Sequence, residues 1–411
     1  MVPGRRHAQG CREAVLTTQT EVARRTSVTP FWYDQRIRGV LFQAFVLFAL
    51  AALAAFIIYN TAQNLRQRGI ASGFGFLWNT SGFDISFHLI SYKATDTYGR
   101  VLIVGILNTL FVSAIAIVGS TVLGIIVGIL RLSRNWLIAR LATVYVELLR
   151  NTPLLLQIVF WYYAVLATLP NVRQSTLWWG MFSLNQRGLY VPAPILEPNF
   201  WLVPASLVIA IGLAVFVARW AWKRQVETGQ PFPTWRVNLA LIVLLPILTS
   251  LILGVPWRWE YPELAGFNFR GGTVLVPEFL ALLFSLILYT AAFIAEIVRA
   301  GILSVSHGQT EAALALGLRP SLVTRLVIMP QALRVIIPPL TSEYLSLTKN
   351  SSLAIAIAYP DLVAVFAGTT LNQTGQAIET ITITMLVYLT ISLAISAFMN
   401  WYNRKIALVE R

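Results

Sequence analysis

Glu296 and Asp361 lie in or beside long apolar runs, at 277 to 298 and 351 to 367. A carboxylate in such a setting is costly unless it faces protein, a cation or a wet cavity. Glu296 precedes Arg299 by three residues, the spacing of an ion pair on a helix surface. Asp361 follows Pro360, where it suits either a substrate ammonium group or the cap of a helix restarting after the proline. Asn350 and Ser351, next to Lys349 at the end of an apolar run, complete the set of polar residues that could line a solute path. Arg150 with Asn151, and Lys349 with Asn350, also read as anchors whose charged tips snorkel towards water.

Covalent and metal chemistry find no comparable footing. His7, His88 and His307 are scattered, and the single cysteine, Cys11, lies in a polar N-terminal arm. A single cysteine excludes an intrachain disulfide framework and a CxxC metal site, and the three histidines form no ligand cluster. The sequence has no G-x-x-x-x-G-K-[ST] loop to cradle phosphates. Any ATP hydrolysis is therefore expected from a partner, and no cofactor is expected here. A membrane-embedded enzyme would need an HExxH, a G-x-S-x-G or paired carboxylates, and none is present.

The elements that must position these residues are membrane helices. With 57% hydrophobic and 12% charged residues, the chain has too little polar surface for a soluble fold. Apolar runs long enough for a bilayer core occur near 40 to 59, 101 to 130, 152 to 169, 200 to 219, 237 to 255, 277 to 298, 351 to 367 and 379 to 400. The expectation is an all-α polytopic membrane protein of about eight transmembrane helices. When the connections are placed alternately on two sides, 23 of the 31 lysines and arginines fall on one side and 8 on the other. That asymmetry places both termini in the cytoplasm. It also accounts for the net charge of +14 without a nucleic-acid partner. Trp201, Trp220, Trp222, Trp235 and Trp257 flank the fourth and fifth runs, as interfacial belts do. The first forty residues have no early apolar stretch or small-residue cleavage site, so no removable signal peptide is expected.

One connection stands out. In Gly308-Gln309-Thr310-Glu311-Ala312-Ala313-Leu314-Ala315-Leu316-Gly317, followed by Val327-Ile328-Met329-Pro330, an E-A-A triplet precedes a glycine and an I-x-L-P-like end. Ser306 and Gln309 have the spacing of a capping box. Gly317 suits a helix end with positive φ, and Pro320 the first turn of a second helix. This segment resembles the cytoplasmic coupling loop of ABC importer permeases.

Further motifs extend the likeness. Gly105, Asn108-Thr109-Leu110, Glu147, Arg150-Asn151-Thr152-Pro153, Glu296, Arg299, Gly301, Gln331, Arg334, Pro338-Pro339 and Lys349-Asn350-Ser351-Ser352 resemble the polar amino acid branch of the binding-protein-dependent transport family, which includes histidine, glutamine and general L-amino-acid permeases. The match covers roughly 98 to 169 and 277 to 405. The resemblance implies a five-span permease domain over 98–405, preceded by a cytoplasmic arm (1–39) and an extra span with an external loop (40–97). A span pair is inserted at about 170–276, and the coupling loop occupies about 299–350.

The resemblance further implies an inner-membrane importer subunit for polar L-amino acids, of a general or a glutamate/glutamine/aspartate/asparagine type. Its partners would be a second permease, two ATP-binding subunits, a periplasmic amino-acid-binding protein and the lipid bilayer. Gln309, Glu311, Ala312, Ala313, Gly317 and Pro330 would couple to the ATPase. Another small polar solute remains open as cargo. An ATP-independent secondary transporter is the rival class, although the inverted repeats and charged pathways of that class are not evident.

Overall fold

The computed structural model describes residues 35–67 and 72–406, which fall into two units, Met1–Ser72 and Gly73–Arg411. In the first unit the described residues form one helix, α1 (Gln35–Gln67), whose stretch Arg38–Thr61 is long and apolar enough to cross a membrane. Most of the expected arm, including Cys11, lies outside the described residues.

The second unit contains α2 (Tyr98–Leu130), α3 (Trp136–Asn151) and α4 (Leu154–Val159), the last continued by a π turn at Phe160–Val165 and a 3-10 turn at Leu166–Thr168. Next come α5 (Leu202–Thr228), α6 (Thr234–Ile252), α7 (Pro277–Leu303), α8 (His307–Ala315), α9 (Pro320–Val323), α10 (Met329–Asn350) and α11 (Ala377–Ile406). Among the described residues, seven helical stretches are long and apolar enough to span a bilayer, and Leu154–Thr168 is a shorter apolar helix. The local signals are plain. Asn135 caps α3 by accepting from the amides of Leu137 (3.0 Å) and Ile138 (3.3 Å), and Pro153 comes just after its end, where a residue before proline leaves the helical region.

The structure changes one boundary. The segment expected as a coupling loop over 299–350 is helical from Met329 onwards, and Pro320–Ile357 is long and apolar enough to span. Arg334, Pro338, Pro339, Glu343 and Lys349 dilute this stretch, the least apolar of the seven. The helix nevertheless buries Ala332, Ile336, Leu340 and Leu347, a face with helical spacing that packs against α7 and α11. The connecting loop shrinks to about 304–328, and the crossing expected at 351–367 begins some twenty residues earlier.

α2 and α7 form the spine of this unit. A Cβ on Gly124 would stand 2.6 Å from Ile294 Cβ, and one on Gly128 would stand 2.8 Å from the Ala295 carbonyl oxygen. The G-x-x-x-G face therefore lets two backbones approach where larger residues would hold them apart. At the same end Arg131 and Arg299 both bond the carboxylate of Glu296, the latter at 2.6 Å.

The segment 170–276, expected as an insertion, has short strands that no alternating pattern announces. β1 (Ser183–Asn185), β2 (Gly188–Val191) and β7 (Thr273–Leu275) form one antiparallel sheet. β3 (Ala193–Leu196) pairs with β4 (Trp257–Glu260), and β5 (Glu263–Ala265) with β6 (Asn268–Arg270). Together they make a small cap with its own core of Val172, Tyr190 and Phe269. The cap joins the start of α5, the end of α6 and the start of α7. α5 and α6 run out and back from it, packed on each other with Ser206, Ala210 and Ala214 buried.

Candidate functional site

Beyond the end of α7 the chain forms a bent helical hairpin. α8 begins after Ser306, whose side chain makes no cap hydrogen bond; the Gln309 amide donates instead to the Ser306 carbonyl at 3.1 Å. The expected capping box is therefore not formed, because the backbone oxygen takes the proton that the hydroxyl would have accepted. The other end matches expectation. Gly317 has φ +78°, its amide donates to Leu314 O (2.9 Å), and the Leu318 amide donates to Ala313 O (3.2 Å). These two bonds are a Schellman ending, which satisfies carbonyls that the helix leaves free. Pro320 opens α9, a π turn at Thr324–Ile328 comes next, and Pro330 lies in the first turn of α10.

Ala313 is buried between the arms, whereas Gln309, Glu311, Ala312 and Pro330 are exposed. Leu314, Leu316 and Leu326 are also exposed, Leu316 to 83%. The hairpin thus offers a slim face with apolar side chains on a polar loop, a combination suited to a protein partner. Glu311 is in contact with His307 Nδ1 at 2.9 Å, one helical turn earlier. The sequence alone shows His307 only as a scattered histidine.

The second group of candidates surrounds a break in the crossing that starts with α10. A 3-10 turn (Ser351–Ile357) ends at Ala358 in the left-handed region, with φ 58°, and a π turn (Val363–Thr370) resumes after Pro360 and Asp361. Asp361 is fully buried. Its Oδ1 accepts from the Ala364 amide at 2.8 Å, and its Oδ2 accepts from the Tyr388 hydroxyl at 3.3 Å. Of the two roles left open by sequence, helix capping is the one this geometry fills. α2 holds the break from the side. Asn108 Nδ2 donates to Pro360 O and to Phe87 O, both at 2.8 Å, and the Leu362 amide donates to Thr109 Oγ1 at 3.0 Å. Ser351 is buried and donates to Thr348 O at 2.8 Å, while Asn350 is half-buried.

Glu296 does not join this group. It pairs with Arg131 at the far end of α2, separated from Asn108 by roughly 35 Å of helix rise. The structure therefore divides the sequence candidates into three sets: the exposed hairpin, the buried break with Asp361, Ser351 and Asn350, and the ion cluster at Glu296. Sequence reading finds Asn108 and Thr109 only as parts of a motif and misses Tyr388 and Arg131 as partners, because their contacts join residues from 27 to 253 positions apart.

The chain resembles known proteins over nearly its whole length. The profile of the family described as binding-protein-dependent transport system inner membrane component matches residues 238–408. The chain is 54% identical over 375 residues to YhdX of Escherichia coli (strain K12), which carries the name of a putative amino-acid ABC transporter permease; the match covers 91% of this chain and 95% of that one. It is 54% identical over 380 residues to the general L-amino acid transport system permease protein AapQ of Rhizobium johnstonii, covering 92% and 94%. It is 45% identical over 410 residues to the glutamate/glutamine/aspartate/asparagine transport system permease protein BztB of Rhodobacter capsulatus, covering 92% and 96%. The chain belongs to the family of binding-protein-dependent transport system inner membrane components, the membrane subunits of ABC transporters that work with ATP-binding subunits and a substrate-binding protein.

Proposed function

We propose that this chain is one permease subunit of an ATP-driven importer of polar L-amino acids, paired with a second permease and served by two ATP-binding subunits and an external binding protein. The names of the full-length relatives support the cargo class. The observation that carries the mechanism is the hairpin of α8 and α9, held by the Schellman ending at Gly317 and exposed at the end of α7. Closure of the ATP-binding subunits would push this hairpin. The push would reach α7 directly and α2 through the Gly124 and Gly128 contacts and the Arg131–Glu296 pair, so that α2 and α7 move together. The buried break at Asp361, tied to α2, would move with them. In this state its carboxylate is engaged by protein donors, so any contact with a solute ammonium requires rearrangement.

Hydrolysis is the direct test. The purified chain alone is expected to neither bind nor hydrolyse ATP, whereas the complex with its ATP-binding subunits hydrolyses ATP faster when loaded binding protein is added. Robust hydrolysis by the isolated chain would reverse the assignment.

Orientation is tested by labelling in a Cys11→Ser background. Gln174→Cys, Phe267→Cys and Asn372→Cys are expected to react with an impermeant maleimide from outside, and Glu227→Cys and Glu311→Cys only after the membrane is opened. Equal labelling of positions 227 and 267 in intact cells would remove the inserted span pair from the topology.

A further inference from the structure

The segment 73–97, expected as part of an external loop, is folded as a strap over the bundle. At its start the Gly73 amide donates to Glu379 Oε1 at 2.6 Å, in the first turn of α11. At its far end the Tyr98 amide donates to Asn79 O at 3.0 Å and the Ser81 amide to Asp96 O at 2.8 Å, which ties the strap to itself beside the start of α2. Phe76, Ile85 and Tyr92 share a core with Val101 and Val104 of α2 and with Leu362 beyond the break. The Tyr92 hydroxyl donates to Phe83 O at 2.8 Å and lies 2.7 Å from Ser81 Oγ, closing the bend that carries Phe87.

Phe87 reaches into the bundle. Its ring stacks on Phe279 of α7 with centroids 5.6 Å apart, and lies 6.3 Å from Phe111 of α2 and 5.9 Å from Tyr359 at the break. Aromatic pairs at these separations attract beyond their apolar burial. The Phe87 carbonyl accepts from Asn108 Nδ2, the same nitrogen that bonds Pro360 O, so one amide holds both the strap and the break. Phe279 lies in the first turn of α7, roughly 35 Å of helix rise from the coupling hairpin.

The ring sits against a strained joint. Ala358 has φ 58°, a conformation that costs any residue with a Cβ and persists only where its surroundings impose it. Tyr359, the next residue, is fully buried and donates to Asn108 O at 3.2 Å. A path from this end of the bundle to the buried Ser351 and Asp361 requires α2, α7 and the break to part, and each of them would have to leave the Phe87 ring.

We propose that Phe87 is the outer gate of the solute path: the strap holds its ring as a plug between α2, α7 and the break, and a solute reaches the break from outside only when the ring withdraws. The direction of passage rests on the importer reading above.

The test is labelling of intact cells with an impermeant maleimide in the Cys11→Ser background. Ser351→Cys, buried in this conformation, reacts slowly by itself. Adding Phe87→Ala is expected to raise the rate at least about tenfold, because truncating a packed phenylalanine removes contacts that only the closed arrangement makes. Phe87→Leu keeps most of the apolar volume and should stay within about threefold of the parent. Tyr92→Phe removes only the hydroxyl that closes the bend and should raise the rate at least about threefold, which keeps the test decisive where Phe87→Ala does not accumulate. Asn372→Cys, made separately with each variant, reports the amount of inserted protein. Rates within about twofold of the parent in both Phe87→Ala and Tyr92→Phe would overturn the gate. A rise in Phe87→Leu as large as that in Phe87→Ala would also overturn it, assigning the strap to fold stability alone. Reaction of Asn372→Cys only after the membrane is opened would put the stack at the inner side and remove the outer assignment. None of these rates involves ATP, so failure of the gate is distinct from failure of the importer reading, which the hydrolysis test decides.

Discussion

Gly317→Leu is expected to abolish amino acid uptake while the chain still inserts in the membrane. The glycine sits at φ +78°, where a leucine would be strained by about 1–2 kcal/mol, and the two amide bonds that end α8 depend on that conformation. A Cβ there meets nothing within 4 Å. The fold of the isolated chain therefore has room for the new side chain, which projects from the surface that the ATP-binding subunit is proposed to grip. Gly317→Asn separates the two effects, because asparagine tolerates the left-handed region; it should keep most of the uptake if conformation is the requirement. Glu311→Ala removes one exposed charge, a change of under about 1 kcal/mol, and should weaken assembly only slightly. Uptake of labelled amino acid and co-purification of the ATP-binding subunit are the measurements. Wild-type uptake and co-purification by Gly317→Leu would exclude the hairpin as the transmission element.

Gly124→Val is expected to cost folded protein itself. Its first added carbon would lie 2.6 Å from both Ile294 Cβ and Cγ2 and 3.0 Å from the Ala291 carbonyl oxygen, and neither a branched carbon nor a helix backbone can swing aside. Overpacking a tight contact costs typically about 1–3 kcal/mol, and here it would part the two central helices along the G-x-x-x-G face. The proper comparison is Gly212→Val in α5, where nothing lies within 4 Å. In detergent, Gly124→Val should yield less protein with a clearly lower melting temperature, and Gly212→Val should stay near wild type. Equal melting temperatures would mean that α2 and α7 are not clamped by their glycines.

The contrast between those glycines also indicates what a sequence can disclose. Periodic signals with a local cause are legible: the apolar runs, the turn at Gly317, Pro320 at the start of α9, and the break at Tyr359-Pro360-Asp361. Signals that depend on distant partners are not. α10 is hidden because Arg334, Glu343, Lys349 and two prolines lower its hydropathy, and only the helix packing reveals its apolar face. The strands of the cap are three or four residues long, too short for an alternation to emerge. Asp361 is ambiguous in sequence because its two roles call for the same residue after the same proline, and the Ala364 amide decides between them only in three dimensions. Glu296 is half legible: Arg299 is its neighbour in sequence, but Arg131 reaches it from another helix.

The pairing of β3 with β4 has an evolutionary consequence. Leu196 and Trp257 are register partners, so the chain leaves for the α5–α6 hairpin and returns from it at points about 5 Å apart. A permease of this kind can therefore acquire or shed two membrane crossings at one splice point, with no stretch of chain to bridge and no inversion of the downstream helices. The hairpin is thus a cassette, anchored at a single point and separable from the helices on either side of it.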